Sequence, residues 1–109
     1  MRKKGQLNMA RSSRLESGFQ DKLQKDLKER FPGCETFKMD QHQGIPDLLI
    51  LYGPKWAMLE NKKSAKASKR PNQEYYVNKY DEMSFARFTY PENKEEVLDE
   101  LARFFNDKH

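Results

Sequence analysis

A run of apolar residues from Leu48 to Tyr52 is cut by Gly53-Pro54 and followed, after Lys55, by a second candidate strand, Trp56 to Asn61. A run this short, closed by turn residues, reads as a buried strand, and the brief connection makes the two strands an antiparallel hairpin. If the turn is centred on Gly53-Pro54, Leu48 faces Leu59 and, one position further out, Asp47 faces Glu60. Whatever else the chain does, it must build around this hairpin and accommodate two acids opposed at its open end.

The flanking sequence supplies the rest of a layered domain. Leu15, Phe19, Leu23, Leu27 and Phe31 recur every four residues, a single helical stripe that Pro32-Gly33 ends. Cys34 to Met39 reads weakly as a strand, and Asp40 to Gly44 as a polar loop. Lys62 to Arg70 has no apolar side chain larger than alanine and reads as a mobile basic loop, after which Pro71 opens a helix running to about Tyr80. Phe85 to Tyr90 is a further strand. The last helix starts near Asn93, paired with Glu96 as a capping box, and buries Val97, Leu98, Leu101, Ala102, Phe104 and Phe105. The predicted order is αβββαβα, in one domain spanning residues 13–109 behind a flexible basic arm, residues 1–12. At 109 residues the chain has room for one core, and its 12% aromatics can seed it although 35% of residues are charged.

The same inventory excludes several functions. The longest apolar run is far short of the roughly 20 residues that span a bilayer, and no signal-type apolar segment follows the basic start, so membrane and secreted readings fall. Cys34 is the only cysteine, and with just His42 and His109 beside it neither an intrachain disulfide nor an ordinary zinc site can form. An intracellular, cytoplasmic setting is expected. Lys and Arg number 21 against 17 acids, a net +4 that is unevenly spread. Arg2, Lys3, Lys4, Arg11 and Arg14 form one acid-free block, Lys62, Lys63, Lys66, Lys69 and Arg70 a second, and the acids gather between Glu92 and Glu100. Two basic blocks flanking folded sequence suit a polyanion, since each neutralised phosphate releases condensed counterions; solvated solubility lysines are the plainer alternative.

The chemistry is concentrated at the hairpin mouth. Opposed residues of an antiparallel pair share a face about 5 Å apart, where like charges repel unless something neutralises them. Lys62, two residues beyond Glu60, projects from that face, while Asn61 faces away. Hard oxygen ligands suit magnesium or manganese, which can polarise a phosphoryl oxygen and generate hydroxide from bound water; Lys62 would orient or deprotonate that water. The plainer reading is a hairpin ending in solvated charges.

Gly44-Ile-Pro-Asp47, twelve further residues, Glu60-Asn-Lys62 and then Gln73-Glu-Tyr-Tyr76 at a helix start form a pattern that resembles the PD-(D/E)XK nuclease superfamily. It is nearest to VRR-NUC-type nucleases and similar to phage-type Holliday junction resolvases. The resemblance spans roughly residues 14 to 102 and implies a restriction-endonuclease-like αβββαβ core with a mixed central sheet, here with an extra C-terminal helix. It implies metal ligation by Asp47, Glu60 and the backbone carbonyl of Asn61, a catalytic Lys62, and Gln73 and Tyr76 looking toward the active site. Asn61 departs from the family, where that position is more often apolar. Glu16 on the first helix is the candidate for a further metal ligand, but Ser13-x-x-Glu16 equally forms a capping box, and Gln20 one turn on is a weaker partner. His42 is read as a solvated loop histidine with a smaller chance of meeting phosphate.

The expectation is a metal-dependent endonuclease hydrolysing DNA, structure-specific for branched or junction DNA, using magnesium or manganese and no small-molecule cofactor. Arg14, Lys63, Lys66, Lys69 and Arg70 would grip the strand, and so small a core is expected to act as a homodimer presenting two sites. Two other classes compete: a non-catalytic nucleic-acid-binding module using the basic arm and loop, and an interaction protein docking through its acidic C-terminal helix.

Overall fold

The computed structural model describes residues 18–39 and 43–107. The architecture is mixed α/β. Residues 18–30 form α1, followed by β1 (Glu35–Lys38), β2 (Leu48–Tyr52), β3 (Lys55–Asn61), α2 (Pro71–Met83), β4 (Ala86–Thr89) and α3 (Lys94–Asn106). The four strands lie in the order β1-β2-β3-β4, antiparallel across the first two junctions and parallel between β3 and β4. That parallel junction needs a crossover, which α2 provides.

Strand alternation divides the core into two layers. Leu48, Ile50, Ala57 and Leu59 point to one face, where Leu23 and Leu27 of α1, Phe31 just after it, and Val97, Leu98, Leu101 and Phe105 of α3 complete a buried cluster. Leu49, Trp56 and Met58 point to the other, beneath Val77 and Tyr80 of α2. The helices on the first face are clamped together by charge: Lys94 pairs with Asp26 at 2.5 Å and Arg30 with Asp99 at 2.5 Å. The Asp26 carboxylate, hydrogen-bonded to the Lys94 ammonium, raises the Lys94 pKa against the opposing effect of burial. Two of the acids expected near the C-terminus thus serve α3's packing: Asp99 binds Arg30, and Glu100 lies 3.4 Å from Arg87.

Three expectations need correction. The second helix continues to Met83, three residues past Tyr80, and Asp81 in this added stretch accepts from the Ala86 amide at 3.1 Å and binds Arg87, tying the helix end to β4. Asn93 does precede α3, but its side chain makes no cap hydrogen bond. Its Oδ1 accepts from the Tyr90 amide at 2.9 Å and its Nδ2 donates to the Phe88 carbonyl at 3.0 Å, so it ties down the exit of β4 instead of forming a capping box with Glu96. The basic loop is also tethered: the Ala65 amide donates to Glu92 at 3.1 Å, and Lys69 Nζ lies 4.7 Å from the centre of the Phe88 ring and 5.9 Å from that of Tyr90. The arm, residues 1–12, lies outside the described residues. Among the described residues no helix is long and apolar enough to cross a membrane.

Candidate active site at the open end of the β2–β3 hairpin

Leu48 pairs with Leu59, Leu49 with Met58 and Ile50 with Ala57, the register that sets Asp47 against Glu60 at the next position out. The Asp47 backbone carbonyl accepts from the Met39 amide at 2.8 Å, and its Oδ1 accepts from the Asn61 amide at 3.2 Å. The aspartate is therefore tied to both neighbouring strands. Glu60 follows Trp56 and Met58 on the α2 face and is only 5% exposed, an unusual position for a carboxylate.

Gln73, in the first turn of α2, joins the other two groups. Its Nε2 donates to Glu60 Oε2 at 3.1 Å, and its Oε1 accepts from Lys62 Nζ at 2.8 Å and from the Arg70 amide at 3.0 Å. The chemistry of the partners fixes the orientation of the amide: reversed, it would set NH₂ against an ammonium and an oxygen against a carboxylate. Lys62 is held at the sheet end by its own amide, which donates to the Thr89 carbonyl at 2.8 Å. Asp47, Glu60, Lys62 and Gln73 are thus brought to one end of one face.

Gly44 and Pro46 explain how the loop before β2 reaches this place. Gly44 has φ +91°, and a Cβ there would stand 2.8 Å from Asn72 Nδ2 and 3.2 Å from Tyr76 Cδ2. Only glycine lets this backbone lie so close against the start of α2. Pro46 is fully buried one residue before Asp47. Asn72 was not singled out by sequence reasoning, and nothing but its position beside Gln73 could have signalled it.

The remaining candidates divide. Lys63, Lys66, Lys69 and Arg70 are exposed on the loop between β3 and α2. Arg14, Glu16 and His42 lie outside the described residues. Gln20 is half-buried on α1, which packs on the opposite face of the sheet from Gln73. The Asn61 side chain points to that opposite face, fully buried beside its ladder partner Thr89, and neither its amide atoms nor Thr89 Oγ1 has a hydrogen-bond partner among the described residues. Cys34 also lies in that layer, its thiol pKa pushed up by burial against a smaller opposing effect of Lys28, so it offers no nucleophile to this site.

Two carboxylates on one face, with a lysine held beside them, form a donor set of hard oxygens that fits magnesium or manganese and suits zinc poorly. Among the described residues no third Asp, Glu, His or Cys joins them. The chain matches no protein-family profile, no curated protein and no solved structure.

Proposed function

We propose that this chain is a divalent-metal-dependent endonuclease of the PD-(D/E)XK kind that hydrolyses DNA phosphodiester bonds, acting on branched or junction DNA as a homodimer. The observation that carries the reading is the Gln73 bridge between Glu60 and Lys62. A surface charge cluster has no need of a buried glutamate, and an amide oriented between an acid and a base is the support an active site requires.

Asp47, Glu60 and the Asn61 carbonyl would hold the cation, which when bound supplies polarisation of a phosphoryl oxygen and a lowered pKa for water. Lys62 would orient the attacking water by donating a hydrogen bond from its ammonium, while the proton that the water loses would leave to solvent. Gln73 keeps the ammonium and the Glu60 carboxylate in fixed relation, so neither collapses onto the other. Asn61, by donating its amide to Asp47, fixes the direction of that carboxylate. Lys63, Lys66 and Arg70 meet the phosphates on either side of the scissile bond, a contact that makes binding salt-sensitive but not sequence-specific.

The test is incubation with fluorescent four-way-junction, flap, single-stranded and linear duplex DNA, each with magnesium, manganese or chelator, beside Glu60→Ala. Metal-dependent cuts that fall by about a hundredfold or more in the variant are expected. Full cleavage by Glu60→Ala would sink the mechanism, and tight salt-sensitive binding without cuts would establish the non-catalytic binding module instead. Sedimentation at micromolar concentration reads the homodimer.

A further inference from the structure

The α2 helix lies over β3 and β4 and leaves the β1–β2 half of the same sheet face open. There a groove of about 550 Å³ is lined by Met39, Ile45, Leu49, Trp56, Tyr76 and Tyr80. It is continuous with the proposed catalytic end. Leu49 is two residues past Asp47 and Met58, also in the wall, two residues before Glu60, so the groove opens about 7 Å along the strands from the carboxylates. Tyr76 is one helical step beyond Gln73.

Among the described residues the walls carry no charged side chain, and the Tyr76 and Tyr80 rings are 17° from parallel at 5.9 Å, with Trp56 edge-on to Tyr80 at 6.2 Å. Lys62 stands at the catalytic end of the groove, whereas Lys38 lies on the α1 face of the sheet, 3.8 Å from Asp21, and Lys79 lies beside Tyr75 on the outer side of α2. Flat aromatic walls that run to a lysine and to the proposed phosphate site match a nucleotide, apolar in its base and anionic in its phosphate.

We propose that this groove receives an unpaired nucleobase of the strand whose phosphate lies at Asp47 and Glu60, so that the preferred substrate carries an unpaired nucleotide beside the bond that is cut. The inference rests on the nuclease reading for the phosphate, while the groove itself can be tested without cleavage.

Trp56 is the only tryptophan and reports directly from the groove wall. Its emission is followed in chelator while the full chain is titrated with a short oligothymidylate, an abasic strand of equal length and charge, and a blunt duplex. The oligothymidylate should quench Trp56 and bind about tenfold tighter than the abasic strand, with the duplex leaving emission near its starting value. Tyr76→Leu should erase most of that tenfold difference. Because the abasic comparison uses the unmutated chain, it decides the matter even if the variant misfolds. Equal affinity for abasic and base-bearing strands, equal quenching by the duplex, or emission that changes on dilution without DNA, as a second copy in the groove would produce, each overturns the proposal. Cleavage with no response at Trp56 would remove the groove and keep the nuclease; quenching without cleavage would support the groove and remove the nuclease.

Discussion

Replacing Gly44 with alanine should cost clearly more than the same change at Gly33, which serves as its control. Gly33 has nearly the same φ, +92° against +91°, but a Cβ at Gly33 would meet nothing within 4 Å. An L side chain at such a φ costs about 1–2 kcal/mol, offset in part by the roughly 0.4–1 kcal/mol that alanine gains by stiffening the unfolded chain. Gly33→Ala should therefore lose about 1 kcal/mol. At Gly44 the new methyl would also press on Asn72 Nδ2 at 2.8 Å and on Tyr76 Cδ2 at 3.2 Å, and overpacking of that kind adds about 1–2 kcal/mol. The total is about 2–3 kcal/mol. Urea unfolding at neutral pH, with a slope of about 1–2 kcal/mol per molar for a chain this small, should show a midpoint lowered by about 1.5–2 M in Gly44→Ala and by half that or less in Gly33→Ala. Adding Asn72→Ala should return about 1 kcal/mol to Gly44→Ala and nothing to Gly33→Ala. Equal losses at the two glycines would refute the argument that Gly44 is required for the approach of the loop to α2.

Other outcomes follow from the opposite face. Thr89→Val replaces a buried hydroxyl that has no partner among the described residues by a methyl of the same shape, and should raise stability by about 1 kcal/mol; a loss of that size would show that the hydroxyl is satisfied. Lys94→Met removes a pair whose side chains are 12% and 26% exposed, and should cost about 1–2 kcal/mol at pH 7. The Lys94 pKa is raised in the folded chain, so the stabilisation is fully present below its unfolded value of 10.5 and fades as pH climbs through the folded one. The difference between wild type and variant should thus be flat from pH 6 to 9 and shrink above 10.5; a difference that shrinks between pH 6 and 9 would contradict the assignment.

What could be read in the sequence was whatever depends on local rules. The β2–β3 register follows from a brief, symmetric turn and from alternation, and with it the opposition of Asp47 and Glu60. The end of α1 follows from Pro32-Gly33, and α2 does begin at Pro71. Features that depend on long-range placement could not be read in that way. Gln73 was legible as sharing a face with Tyr76, but its position between Glu60 and Lys62 is set by where the crossover lays α2 on the sheet. The open groove exists because α2 sits over β3 and β4 and spares β1 and β2, a choice no periodicity encodes. Asn93 has the composition of a cap, yet the turn after β4 offers it two backbone groups to satisfy at once, and those win over a single helix amide. Lys69 counts as one more loop cation in the sequence, whereas its neighbours are Phe88 in β4 and Tyr90 just past its end, beyond the whole of α2.

On the proposed reading, Asp47 and Glu60 together hold a divalent cation at the mouth of the hairpin. The most direct measurement is titration of manganese into the protein without DNA, with unbound manganese followed by electron paramagnetic resonance, for wild type, Asp47→Asn and Glu60→Gln. The wild type should show one magnesium-displaceable site per chain, weakened about tenfold or more in each variant if both carboxylates are ligands. Binding that is unchanged in both variants, or no binding by the wild type at roughly millimolar manganese, would contradict that reading.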